Sequence, residues 1–256
     1  MAATVSPPTS TSRIPKGVAP LRAGQGNSFL WRRLHSLSGI IPIGAFLLEH
    51  LISNSVGTKG PAEYTKQVEF LTGLPFAFWL EVFGIYIPIL YHGIYGVYIW
   101  WRGENNVNDY PWTGNWMYTL QRYTGIIVFA YIIYHTWYMR FTGIHLFEHP
   151  DAAYWKVWHE FNTSNWAFYA YIVGIVTASW HFGYGIFLFC AKWGIVTGAK
   201  AQKRVQWVGV AISLALMSLG IASAFAFKNP KPQWNFDPQP KPEWFQTQPN
   251  RPGLPD

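Results

Sequence analysis

Four histidines stand inside apolar stretches of this sequence, one to a stretch: His50, His92, His135 and His181. An imidazole at membrane depth is costly to desolvate, and where one is kept it marks a functional path more often than a filler. A single one could serve as a hydrogen bond between helices. One in each of four successive stretches is the pattern of paired nitrogen ligands to a metal. Their settings also repeat. YHGIYG (91–96) and WHFGYG (180–185) share the form His-x-x-Tyr-Gly, while SGIIPIGAFLLEH (38–50) and TGIIVFAYIIYH (124–135) both carry Gly-Ile-Ile and close on histidine. His135 follows His50 by 85 residues and His181 follows His92 by 89, close enough to read as a duplicated helical hairpin. Gly96 and Gly185 come four residues after their histidines, on the same helix face one turn away. A missing side chain there lets a flat group approach the backbone. The chemistry that fits is axial ligation of a porphyrin iron.

The elements that must position these residues are membrane helices. Five apolar runs reach the length of about 20 residues needed to cross a hydrocarbon core: 34–56, 76–101, 116–139, 165–191 and 205–227. The expected fold is all-α, an integral membrane bundle of five transmembrane helices over residues 29–227. A flexible basic arm (1–28) precedes it and a Pro/Gln/Trp-rich tail (228–256) follows. Pro42 and Pro88 fall inside the first two spans, where they kink a helix without ending it. Composition agrees, since only 12% of residues are charged against roughly 25% in a soluble domain. Aromatics at 19% suit interfacial belts and rings packed around a flat cofactor. The net charge of +7 is scattered over tails and loops, so it implies no nucleic-acid partner. Cys190 is the single cysteine, which excludes a disulfide, a Cys-type zinc site and an Fe–S cluster within this chain. Residues 1–27 carry no apolar core of a secretory signal.

Lysine and arginine placement orients the bundle. Arg13, Lys16, Arg22, Arg32 and Arg33 precede the first span, and Lys192, Lys200, Lys203 and Arg204 fill the connection between the fourth and fifth. Those regions are expected on the cytoplasmic side, with the N-terminus inside and the C-terminal tail outside. His50 and His135 then lie roughly 20–25 Å from the inner ends of their helices. His92 and His181 lie roughly 14–17 Å from theirs. Depth therefore pairs His50 with His135 nearer the outside and His92 with His181 nearer the cytoplasm. Two bis-imidazole haems b along the membrane normal would pass electrons, and with both axial positions filled neither iron could bind a substrate. A haem or metal transporter is the rival use of buried histidines. It would favour carboxylates beside them, and only Glu49 and Glu81 qualify. No Ser-His-Asp or HExxH arrangement lies inside the spans, which argues against a hydrolase.

RRLHSLSGIIPIGAFLLEHL (32–51), LPFAFWLEVFGIYIPILYHGIYGVYI (74–99), NWMYTLQRYTGI (115–126) and the WHFGYG…KWGI run (180–195) carry a closer likeness. They resemble the cytochrome b558 subunit of succinate dehydrogenase and fumarate reductase, the single-chain, five-helix, dihaem membrane anchor, over residues 29–227. In that family one histidine in each of the first four helices ligates haem, which the resemblance carries onto His50, His92, His135 and His181. It further implies a complex in the bacterial cytoplasmic membrane. A flavoprotein (FAD) subunit would oxidise succinate, and an Fe–S subunit would pass electrons to the inner haem. The outer haem would exchange them with a quinone, usually menaquinone. Lys192 matches a family lysine near the inner-haem propionates, while Arg33 and Arg122 either neutralise propionates or anchor helix ends. His35 occupies the same rim. Glu69, in KQVEFLTGLPF (66–76), lies nearest an acidic quinone-site residue of some relatives. Some fumarate-reducing relatives carry a membrane glutamate two residues before the fourth ligand; Ser179 stands there in this chain, which favours succinate oxidation. A dihaem anchor of another quinone-linked dehydrogenase is the alternative redox reading. His145, His149 and His159 read as surface histidines, since Pro150 and the lack of a third ligand argue against a metal there.

Overall fold

A computed structural model gives the fold of residues 25–246; most of the basic arm and the last part of the tail lie outside the described residues. The described residues are helix, turn and loop, with no strand among them. The first span is α1 (Gln25–Ile40) running into α2 (Pro42–Ser55). Pro42 has no N–H to give the Ser38 carbonyl, so the helix bends there. Bonds from Ile41 N to Leu37 O (3.0 Å) and from Ala45 N to Ile41 O (3.2 Å) carry it across. After α3 (Pro61–Thr72) the second span starts as α4 (Ala77–Trp79), widens into a π turn (Leu80–Tyr86) and continues as α5 (Ile87–Arg102). Pro88 removes the donor that the Gly84 carbonyl would take, and the widened turn sits directly before it.

Next come α6 (Thr113–Thr136), a second π turn (Trp137–Phe141), α7 (Ala153–Thr163), α8 (Asn165–Lys192), α9 (Ala199–Lys228) and, in the tail, α10 (Glu243–Gln246). Among the described residues, four helical stretches are long and apolar enough to cross a membrane: Ser28–Lys59, Ala77–Arg102, Asn165–Lys192 and Ala199–Lys228. The fifth expected span, α6 with its π turn, is long enough at roughly 1.5 Å per residue. It is less apolar, because Gln121, Arg122 and several Tyr and Trp residues interrupt it.

Around the bundle α1 packs on α5 and α8, α5 on α6, α6 on α8, and α9 on α8 and α2. The α8–α9 seam is closed by small residues. A Cβ on Gly183 or on Gly209 would run into the other's carbonyl, and buried Ser213 lies against the same spot. Outward faces carry Phe83, Ile94 and Leu214, each more than half exposed. A surface of that kind is stable against lipid and would be a large liability in water.

At the end of the bundle where α2 and α9 finish, α3 and α7 lie across it. Tyr64, Tyr154, Phe161 and Phe227 form a buried cluster there. The tail then folds back over α7. Trp155 Nε1 donates to the Pro238 carbonyl (2.9 Å), and Lys241 and Trp244 both donate to Asp151 Oδ2, each at 2.9 Å. Trp244 is 5% exposed while the Lys241–Asp151 pair is largely open, so indole burial dominates the docking. Losing that burial in Trp244→Ala is expected to cost about 3 kcal/mol of docking free energy, against at most about 1 kcal/mol for the ion pair. Limited proteolysis between residues 229 and 246 should accelerate accordingly. Equal acceleration in Lys241→Ala would show instead that the ion pair carries the docking.

Candidate functional site

The structure sets His92 on α5 against His181 on α8, with ring centroids 6.2 Å apart and planes at 89°. It sets His50 on α2 against His135 on α6, 5.7 Å apart at 74°. Two imidazoles held from opposite sides by one metal, each through a nitrogen about 2 Å away, keep their ring centres about 6 Å apart. Both pairs lie near that spacing.

The first pair is anchored in the same way on both sides. His92 Nδ1 lies 2.9 Å from the His35 carbonyl and 3.4 Å from Ser38 Oγ. His181 Nδ1 lies 3.1 Å from the Gln121 carbonyl and 3.3 Å from Thr124 Oγ1. An Nδ1–H donated to a backbone carbonyl fixes the tautomer and leaves the Nε2 lone pair for a metal. Among the described residues no hydrogen bond engages Nε2 of either ring. The anchoring helices also need glycine at the next position. A Cβ on Gly39 would lie 2.5 Å from His92 Cε1, and one on Gly125 would lie 2.9 Å from His181 Cε1. So His35-x-x-Ser38-Gly39 on α1 and Gln121-x-x-Thr124-Gly125 on α6 are one cradle built twice.

Sequence reasoning found the repeated Gly-Ile-Ile and His-x-x-Tyr-Gly segments and missed the cradle that they form. Superimposing the two Gly-Ile-Ile segments would have set His35 over Gln121 and Ser38 over Thr124. The same two side chains lie over the glycines of the His-x-x-Tyr-Gly motifs. A Cβ on Gly96 would meet His35 Nε2 at 3.5 Å, and one on Gly185 would meet Gln121 Nε2 at 3.7 Å. His35 also stacks on His92, centroids 4.0 Å apart at 24°.

The second pair is less symmetric. His135 Nδ1 lies 3.0 Å from the Tyr171 hydroxyl, and the Tyr131 ring stacks on His135 at 20°. His50 Nε2 lies 3.4 Å from Asn54 Nδ2, and Asn54 Oδ1 accepts from Tyr64 at 3.0 Å. Ligation through that nitrogen requires the His50 ring to turn away from Asn54.

Cations gather at the rim where α1 begins. The Arg33 guanidinium lies 4.9 Å from the centres of both the Phe29 and Trp193 rings, and Trp193, next to Lys192, donates to Ser36 Oγ at 3.2 Å. Arg122 is engaged elsewhere. It donates to the carbonyls of Trp100, Gly103 (2.7 Å) and Glu104 (3.2 Å), satisfying the open C-terminal end of α5 and tying α6 to it. Of the two roles open to Arg122, the geometry supports the helix anchor. Glu69 is exposed on α3. Besides Tyr64, Gln67 of that helix reaches α2, donating to Ser53 Oγ at 2.9 Å, and Ser53 donates in turn to Glu49. Ser179 is fully buried, with no partner for its hydroxyl among the described residues. His159 stacks on Trp155 at 4.6 Å, and no group of three or more His, Cys, Asp or Glu converges as a metal site among the described residues.

A further residue escaped the sequence reading altogether. Glu160 on α7 is buried and accepts hydrogen bonds from the hydroxyls of Tyr134 and Tyr171. Burial raises its carboxyl above the ordinary range, while those hydroxyls and the charge of Lys156 act in the opposite direction. Burial also brings the Lys156 ammonium down to about 8. Its Nζ donates to the carbonyls of Met139 (3.1 Å), Thr142 (2.7 Å) and Ile144 (2.8 Å).

No family model matches the chain. Over 199 residues it is 35% identical to the succinate dehydrogenase cytochrome b558 subunit of Bacillus subtilis (strain 168), an alignment covering 78% of this chain and 96% of that protein.

Proposed function

The chain belongs to the succinate dehydrogenase cytochrome b558 family, and from that premise we propose that it is the dihaem anchor carrying electrons from an Fe–S subunit to a quinone. As a member of that family it is an all-helical, multi-pass membrane protein with a cytochrome b role. In this reading α6 is the third of five spans. His92 and His181 hold one haem b nearer the cytoplasmic face, and His50 and His135 hold the second nearer the outer face. The observation that supports it most is the doubled cradle, which presents two opposed imidazoles with Nδ1 engaged and, among the described residues, no hydrogen bond at Nε2.

Haem held between two imidazoles exchanges single electrons and offers no open position to a substrate. The protein's own part is orientation and charge. Ser38, Thr124 and the carbonyls of His35 and Gln121 hold the ligand rings, and Arg33 and Lys192 supply positive charge for propionates at the cytoplasmic rim. Arg122 fastens α5 to α6. Succinate chemistry belongs to a flavoprotein (FAD) subunit, which delivers electrons through the Fe–S subunit docked at that rim. The N-terminus is cytoplasmic, while α7 and the docked tail lie outside. Ser179 in place of a membrane glutamate supports succinate oxidation; the family resemblance makes menaquinone the acceptor in this reading.

The deciding measurement is a reduced-minus-oxidised spectrum of the purified complex with succinate as donor, which should show two low-spin haems per chain. Haem that washes out during purification would favour the transporter reading. Electron entry from a donor other than succinate would favour another dehydrogenase.

Glu69 remains the quinone-site candidate. An exposed carboxylate on α3 can exchange protons between a quinol and the outer aqueous phase. Glu69→Gln should lower quinone-linked turnover while both haems stay assembled. Unchanged turnover would leave Glu69 as a surface charge.

A further inference from the structure

α7 closes the end of the bundle beside His135, and from it Glu160 reaches inward, 3% exposed. Both of its carboxylate oxygens accept tyrosine hydroxyls: Oε1 from Tyr134, and Oε2 from Tyr171 at 2.8 Å. An ionised carboxylate is an acceptor at both oxygens, so the arrangement suits that form. The buried Tyr171 hydroxyl oxygen lies 3.0 Å from His135 Nδ1. The donors therefore run in one direction, from His135 Nδ1–H to Tyr171 oxygen and from Tyr171 O–H to Glu160. Lys156 adds positive charge near Glu160 while its Nζ donates to three backbone carbonyls, and Arg140 pairs with Glu81 at 3.2 Å.

Resting on the reading of His135 as a haem ligand, we propose that Glu160 is a positioning residue that acts through Tyr171 to fix the His135 tautomer and lower the midpoint potential of its haem. The physical route is short. A carboxylate drawing on the Tyr171 proton makes that oxygen a stronger acceptor for His135 Nδ1–H. The imidazole then becomes a more basic ligand, and a more basic axial ligand favours the ferric state. His92 and His181 have only neutral carbonyls and hydroxyls at Nδ1. The relay thus makes the two haems electronically unequal although their iron ligands are alike.

The test is redox potentiometry on the assembled complex carrying Glu160→Gln, with Tyr171→Phe as the second variant. Both should keep two bis-histidine haems. In Glu160→Gln the ferrous-to-ferric ratio of one haem should rise about tenfold at fixed ambient potential, or about 59 mV for a one-electron couple. The other haem should not move. Tyr171→Phe keeps the ring and removes the relay oxygen, so it should shift the same haem in the same direction. It also supplies the readout if Glu160→Gln fails to assemble. Two intact haems at unmodified potentials would overturn the proposal. If His135→Leu retained both haems, the ligand reading itself would fail, a result separable from the first.

Discussion

Replacing His92 by leucine removes one low-spin haem from the assembled complex and leaves the other, halving the haem content per chain. The expectation follows from the geometry around the ring. His92 and His181 face each other at 6.2 Å, and each is fixed at Nδ1 by a carbonyl and a hydroxyl of the neighbouring helix. With one ring gone, His181 cannot hold a bis-imidazole iron alone. Leucine is a better choice than alanine here because His35 stacks on His92 at 4.0 Å. An alanine leaves room for His35 to swing in and supply a substitute nitrogen, which would hide the loss. The double variant His35→Ala with His92→Leu removes that escape. If it still showed two bis-histidine haems by haem counting and near-infrared or paramagnetic resonance spectra, the ligand assignment would be wrong. His159→Ala, whose ring stacks on Trp155 on α7, should keep both haems.

Much of the site could be read along the chain because depth and periodicity are one-dimensional quantities. A histidine's distance from a helix end follows from counting residues at about 1.5 Å each, and that count alone sets His50 level with His135 and His92 level with His181. The cradle was also within reach, since His35, Ser38 and Gly39 align without a gap on Gln121, Thr124 and Gly125. It is harder to read because the groups that hold Nδ1 include backbone carbonyls, which every residue carries and no residue type marks. Glu160 is a different case. It sits in a polar segment, AYWKVWHEFNT, whose sequence looks like any solvated loop helix. Its burial depends on α7 being trapped between α8, the end of α9 and the returning tail, and nothing local encodes that. Arg122 shows the opposite limit. A positive charge in the first turns of a span is equally consistent with a propionate or a helix end. The position of the Trp100, Gly103 and Glu104 carbonyls supports the helix-end role.

In an assembled His181→Leu complex, succinate should reduce the remaining haem too slowly to support turnover, while a small chemical reductant reaches it freely. The two histidine pairs lie at different levels within the bundle. Tyr171, the partner of His135, and His181 lie ten residues apart on α8, so the two histidine pairs are separated by roughly 15 Å along the axis. Lys192, at the cationic rim, is eleven residues beyond His181, roughly another 16 Å. Electrons that enter at that rim meet the His92–His181 level first and must otherwise cover about twice the distance. The complementary variant separates entry from exit. His135→Leu should leave succinate reduction of the inner haem at its normal rate, while quinone reduction collapses for want of the outer carrier. Rapid-mixing spectroscopy distinguishes these outcomes, provided that the haem count and subunit content show each complex to be assembled. Reduction of the surviving haem at the unmodified rate in His181→Leu would contradict the order. Electrons would then be entering at the α7 end, and the orientation inferred from Arg33, Lys192 and their neighbours would have to be reversed.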